Sequence, residues 1–243
     1  MSNLHPNHED FVEKLATSRE EALQQLGKLN PYVMAPIPSS RFTGGPRWPN
    51  GNQAWRFVEL PDGHKLIVSD GLANAFDDPE EKWKPTNGAG GELYVVVKDD
   101  NLTFENLTES AWFRILVQAS NIIADEAWNN GYYLPSFLDK YTYLSLELDF
   151  TLAPEGFQTD EIYAFGVILG VPDPKILDHL TTSEPFEGET YELTTKFVQI
   201  IPMKPEELRY ISDRGSDGRK SVGKRLAELS RDEITNVNRK PVL

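Results

Sequence analysis

Residues 197–229 constrain the fold of this 243-residue chain more than any other segment. The segment opens with the apolar stretch FVQII, passes through a proline turn, and continues into two short stretches with the apolar spacing of helices. Pro205 suits the first position of a helix, where Glu206 and Glu207 would meet the positive end of the helix dipole. The segment therefore predicts a buried strand that is followed directly by two short helices.

The remaining pattern of apolar residues predicts further strands and helices. A period near 3.6 residues indicates helices, whereas alternation or a short apolar run indicates strands. The predicted helices are 8–28 and 108–128, and the predicted strands are 54–60, 65–69, 93–97, 141–151, 162–171 and 191–201. Because the two kinds of element are interspersed without strict alternation, we predict an α+β (mixed α/β) fold in which a central mixed β-sheet is flanked by helices.

Composition and the chain ends bear on domains and on cellular location. We expect an N-terminal helical segment at residues 1–29 that packs on the main domain at 30–230, and a C-terminal tail at 231–243. The apolar content of 39% suffices for a core. No apolar run approaches the roughly 20 residues of a membrane span, and the first residues lack the pattern of a signal peptide. With no cysteine in the chain, these features predict a soluble cytoplasmic protein.

The formal net charge of −14 indicates which partners the protein would attract. A negative field repels the phosphate backbone of nucleic acids, so we expect no nucleic-acid partner. The same field accelerates encounters with a positively charged protein. The charge therefore favours a basic protein partner, and we expect no membrane partner.

Motifs of catalysis are missing from the sequence. The run GRKSVGKR at 218–225 resembles a phosphate-binding loop, but Arg225 occupies the position of the hydroxyl residue that would hold magnesium. The four histidines lack the spacing of metal ligands, and we expect them at the surface. There is also no GxSxG elbow. We therefore predict no catalytic residues, no metal and no cofactor. The histidines are His5, His8, His64 and His179.

Two groups of residues in predicted loops are candidates for contact with a partner. The first is an acidic cluster in the loop 71–91, and the second is a pair of adjacent tyrosines. A solvated acidic loop is the ordinary interpretation of the cluster, a surface for a cationic partner is the next, and a catalytic pair of carboxylates is the third. Loop tyrosines close the end of a core or contact a partner. The candidate residues are Asp77, Asp78, Glu80, Glu81, Tyr132 and Tyr133.

Three motifs give the chain a resemblance to the suppressor of fused family. They are LIVSDGLANAF at 66–76, TNGAGGELYVVV at 86–97, and the strand and helices of 197–229, in the order and spacing of the family over about residues 30–230. The chain departs from the family in two ways. Lys204 and Pro205 precede the Glu-Glu-Leu helix, and Tyr132 aligns with a family aspartate at the peptide cleft. The chain also ends before the second domain of the animal protein.

The resemblance implies a single suppressor-of-fused-like domain of bacterial type. For such proteins it implies a role as an immunity protein that neutralises a toxin. The leading hypothesis is therefore a non-enzymatic protein-binding module that occludes a basic toxin. The alternatives are a carboxylate-dependent hydrolase that uses the loop 71–91, and a regulator that adds a partner peptide to an exposed strand, with residues 141–151 as a candidate edge.

Overall fold

The computed structural model describes residues 8–36, 44–77, 86–158, 164–186 and 188–243. The helices within these ranges are α1 (His8–Leu26), α2 (Ala111–Asn130), α3 (Leu134–Tyr141), α4 (Pro205–Ala227) and α5 (Arg231–Thr235). The strands are β1 (Lys28–Leu29), β2 (Trp55–Glu59), β3 (Lys65–Ser69), β4 (Gly91–Val97), β5 (Leu144–Leu148), β6 (Phe165–Leu169), β7 (His179–Phe186) and β8 (Glu189–Pro202).

The strands form one eight-stranded mixed sheet with the order β1-β2-β3-β4-β8-β6-β5, and β7 pairs with β8 beside this path. The pair β4–β8 is parallel, whereas the other pairs are antiparallel. The predicted central mixed sheet with flanking helices is thus confirmed, and so is the hairpin between β2 and β3. β7 was missing from the predicted strands.

β8 organises the sheet because it contacts three strands along its length. One edge pairs with β4 between Lys196 and Gln199. The other edge pairs first with β7, up to Lys196, and then with β6, from Ile200 onward. This leaves a short interval of β8 between the ladders of β7 and β6. The interval forms a slot in the sheet, which is described below.

Apolar side chains cover both faces of the sheet. In β4, Leu93 and Val95 join the main core beneath α2, whereas Tyr94 and Val96 join a second cluster on the opposite face. All seven residues of β4 are buried, as expected for a central strand. A third cluster places Val222 of α4 against the sheet.

Both ends of the described chain contact the sheet. Phe11 of α1 meets Phe186 of β7 edge to face at 6.1 Å. At the other end, α5 follows α4, and Arg239 lies buried beyond it. The boundaries at residues 29 and 230 remain a proposal. Within the described ranges, no helix has the combined length and apolar character that a bilayer crossing requires.

Candidate functional site

A buried polar cluster lies where α1 crosses the ends of β2 and β3. Arg19 of α1 donates from Nε to Oδ1 of Asp70 at 2.9 Å and from Nη2 to Oδ1 of Asn74 at 2.6 Å. Arg56 of β2 donates from Nε to the other oxygen of Asp70 at 2.8 Å. Burial would raise the pKa of Asp70, but the two guanidinium groups outweigh it and lower that pKa. Asp70 is therefore a fixed anion that holds α1 to the sheet.

Glu92 of β4 anchors the turn that follows β3. Its carboxylate accepts the backbone N–H groups of residues 71, 72 and 73, and the Ser69 hydroxyl donates to it at 2.6 Å. Glu92 is fully buried, and this burial raises its pKa above the ordinary value. The same carboxylate lies 3.7 Å from Nε of Arg19. Glu92 therefore positions the backbone of the turn and also faces the buried arginine of α1.

A cavity of about 660 Å³ lies beside this cluster. Its walls come from α1, residues 33–36, residues 50–54 and the turn after β3, and its polar floor includes Arg19, Arg56 and Asp70. Asp70 pairs with both arginines, and Glu9, Glu13 and Asp77 also line the cavity. The pairing of Asp70 with the two arginines holds these three charges in place.

The structure places one member of the predicted acidic cluster at this cavity. Asp77 is buried, lines the cavity, and donates its backbone N–H to the Pro49 carbonyl at 3.0 Å. Asp78, Glu80 and Glu81 lie outside the described residues. Contact between the cluster and a partner therefore stays a proposal.

The two predicted contact tyrosines differ in exposure. Tyr132 stacks on Phe137 with ring centroids 4.0 Å apart, and its burial raises its pKa to about 12. Tyr133 is 38% exposed and lies against Gly90, where an added Cβ would come within 2.4 Å of its ring. Tyr132 thus closes the end of the core, and Tyr133 presents a ring edge to solvent. Contact of either tyrosine with a partner is a proposal.

The histidines show one error in the prediction. His64 is buried and not at the surface, since its Nδ1 lies 3.0 Å from Asp62 and its Nε2 lies 3.3 Å from Asp232. His179 is exposed, as predicted, and His5 lies outside the described residues. Among the side chains that the structure describes, no three His, Asp or Glu residues are placed to hold a metal ion.

A second buried ionic cluster, which the sequence did not predict, fixes the C-terminal residues. Glu207 of α4 is fully buried and accepts from both terminal nitrogens of Arg239. It also accepts the backbone N–H of Lys204 at 2.8 Å and that of Val242 at 2.9 Å. Burial, and then the nearby Arg239, lower the pKa of Lys204, whose Nζ donates to the Gly156 carbonyl at 2.6 Å.

Exposed carboxylates of α1 lie beside a half-buried carboxylate of β7. Asp10, Glu13 and Glu21 of α1 and Glu184 of β7 line one depression of about 430 Å³, which we call the acidic groove. Lys14 also lines it, and this lysine pairs with Glu184 at 3.3 Å. A neighbouring depression of about 420 Å³ shares Glu21 and has Leu180 in its lining. The helical period and the strand pairing together thus build a predominantly acidic surface.

Comparison with known proteins gives structural likeness only. No protein-family model matches the chain, and no curated protein matches it. The chain is similar to the crystal structure of the Sufu–Fu complex, with a TM-score of 0.49 and 15% identity over 94% of this chain and 90% of that chain. It is also similar to the crystal structure of Drosophila Suppressor of Fused, with a TM-score of 0.49 and 16% identity over 99% of this chain. It spans 52% of that Drosophila chain. Both structures belong to the family whose motifs the sequence resembles.

Proposed function

We propose that this protein is a non-enzymatic binding module for a basic protein partner, and that it acts as an immunity protein by occluding a toxin. The observation that carries the proposal is the acidic groove. Four carboxylates from two separate elements line it, with a single lysine among them. Such a surface attracts a basic partner and orients it on approach.

The distribution of charge between interior and exterior supports this proposal. The buried charged residues of the described chain are four cations and four carboxylates, so they contribute no net charge. The formal charge of −14 therefore belongs to residues outside that buried set. The interior carboxylates serve the fold, and the remaining charge is available for attraction over a Debye length of about 8 Å at physiological salt.

The hydrolase alternative uses carboxylates of the loop 71–91, and the hydrogen bonds of Asp70 and Glu92 remove only these two buried carboxylates as further candidates. A carboxylate pair for acid–base catalysis needs one proton donor and one free anion with access to substrate. Asp70 is held by two arginines, and Glu92 is enclosed by the turn after β3. Neither offers a free oxygen to a substrate. The regulator alternative has one favourable observation, since β5 pairs only with β6 among the described strands.

Co-expression with a toxin candidate tests the proposal. The probe is a basic toxin domain encoded by a gene that flanks the gene for this chain, where sequencing of that region finds one, and the readouts are cell growth and the affinity of the purified pair. We expect protection by the parent protein and an affinity that falls as salt rises. Failure to protect, or an affinity that salt leaves unchanged, contradicts the proposal.

A pair of charge-matched variants locates the surface. Glu13→Lys with Glu21→Lys reverses two groove charges, and Glu109→Lys with Glu228→Lys makes the same change at exposed positions elsewhere. We expect the groove variant to bind at least about tenfold more weakly and the control to lose about twofold or less. Equal losses in the two variants would mean that net charge, and not the groove, governs binding.

A further inference from the structure

The slot in the sheet between β6 and β7 contains an unsatisfied buried amide. Gln199 of β8 is 2% exposed, and its Oε1 has no hydrogen-bond partner among the described residues. Leaving such a group unpaired in the folded protein costs about 1–3 kcal/mol. Buried polar groups are rarely left in this state, so an unpaired one calls for a ligand or a role.

Gln199 lines a cavity of about 490 Å³ that occupies the slot. This volume falls within the range of small-ligand sites, which is about 300–1,000 Å³. The walls are largely apolar and aromatic, with Tyr94, Phe197 and Val198 beside the amide. β6 ends at Leu169, which pairs with Ile200 of β8, and β7 begins at His179, which pairs with Lys196 of β8. The cavity lies beside the part of β8 between these two pairs.

The charged groups at the cavity favour a cation. Asp173 is already neutralised, since Arg231 donates to both of its oxygens at 2.8 and 2.9 Å. Asp178 is 66% exposed, and its partners are His179 at 3.2 Å and Lys196 at 3.8 Å. Lys196 is the one cation that lines the cavity among the described residues. Asp139 adds a further carboxylate. The pKa of Tyr94 is raised above its ordinary value, chiefly by burial and then by Asp173, while Arg231 acts in the opposite direction.

We propose that the slot receives an arginine side chain of the protein partner, an inference that rests on the proposed function. The guanidinium would donate to Gln199 Oε1, the aliphatic stem would lie along the apolar walls, and the carboxylates of Asp139 and Asp178 would offset its charge. Leu177 lines both this cavity and the depression next to the acidic groove, so one partner can reach both.

Titration with a small probe tests the slot without any partner protein. The probe is N-acetyl-arginine amide, and its control is N-acetyl-citrulline amide, which has the same shape without the charge. Binding is followed by nuclear magnetic resonance through the side-chain amide signal of Gln199. We expect the arginine probe to shift this signal and the citrulline probe to bind about tenfold more weakly. No shift with the arginine probe, or equal binding of the two, overturns the proposal.

Two variants check the residues. Gln199→Leu removes the unpaired amide at similar volume, so we expect unchanged or higher thermal stability and loss of probe binding. Asp178→Asn changes an exposed side chain, so the fold should be unaffected. We expect this variant to bind the arginine probe several-fold more weakly. Added salt should weaken binding of the probe to the parent protein by a similar factor. Full probe binding by either variant contradicts the proposal. The probe titration needs no partner protein, so it is independent of the test with the groove variants. A negative result in the titration does not affect the test of the acidic groove, and a negative result with the groove variants does not affect the titration.

Discussion

Replacing Arg239 by alanine should destabilise the fold strongly, although this residue lies only four positions from the end of the chain. The guanidinium donates from Nη2 to Oε2 of Glu207 at 2.8 Å and to the Pro202 carbonyl at 3.0 Å, and its Nη1 donates to Oε1. Glu207 is fully buried. The variant therefore leaves a carboxylate inside the protein without its cation.

The magnitude follows from the buried charge and not from the count of hydrogen bonds. Breaking a buried ion pair by removing one partner costs about 3–5 kcal/mol, because the remaining charge stays desolvated. The backbone N–H groups of Lys204 and Val242 still donate to Glu207, which places the estimate toward the lower end. In a domain of this size, about 3 kcal/mol lowers the melting temperature by about 6–12 °C.

Urea unfolding followed by circular dichroism measures the effect, and two further variants interpret it. Arg225→Ala removes an exposed arginine of α4 and should change stability by about 0.5 kcal/mol or less. A double variant, Glu207→Gln with Arg239→Met, removes both charges and should be more stable than Arg239→Ala alone. If Arg239→Ala unfolds at the same urea concentration as the parent, the ion pair between Arg239 and Glu207 does not form in solution.

Two further predictions concern single positions. Burial would raise the pKa of Asp62, but hydrogen bonds from Lys175 and His64 outweigh it and lower that pKa below its ordinary 3.8. Because Asp62 lies in an exposed turn where solvent screens its charge, Asp62→Asn should be less stable by only about 0.5–1 kcal/mol near neutral pH. Urea titrations should show this difference closing only below pH 3.8. Gly90→Ala should lower the free energy of unfolding by about 2 kcal/mol more than Gly63→Ala does. Both glycines have positive φ, but only at Gly90 would the added methyl group meet an aromatic ring, that of Tyr133, at 2.4 Å. Equal melting temperatures of the two variants would refute this clash.

The sequence predicts the elements whose stability is local or periodic. The alternation in β5 and the spacing of α2 reflect burial on one face, the apolar run of β4 reflects burial on both faces, and the structure has all three elements. The start of α2 was predicted at Thr108, whereas the helix begins at Ala111 because Leu107–Glu109 forms a separate 3-10 turn. A capping pattern alone does not distinguish these two starts.

The spacing of apolar residues does not predict β7. Its residues alternate between exposed and half-buried, and Pro185 lies inside it. A proline within a polar segment argues against a strand unless the strand lies at an edge. β7 forms because β8 extends beyond β4 and offers a free ladder. That reason resides in a distant segment, so the polar sequence of β7 carries little sign of it.

The candidate site was hidden for the same reason, since its charged pairs join residues far apart in the chain. Arg19 reaches Asp70 across 51 positions, and Arg231 reaches Asp173 across 58. The sequence indicates candidate contact residues among the acidic residues of loops. Glu92 lies in a predicted strand and Glu207 at the start of a predicted helix, and neither position indicates a buried ion pair. The slot at Gln199 depends on where two other strands end, which the predicted boundaries did not resolve.

Buried arginines attach both ends of the described chain to the sheet, and their ion pairs restrict each end to one arrangement. Apolar contacts alone would allow α1 or the C-terminal residues to settle in several similar positions, whereas a bidentate pair such as Arg239 with Glu207 is satisfied in one geometry. Ion pairs of this kind add little net stability, and fixing one arrangement is the better-supported role for them. Holding α1 in one position also fixes Asp10, Glu13 and Glu21 relative to Glu184. The buried pair between Arg19 and Asp70 thus gives the acidic groove its shape, although neither residue carries any of its charge.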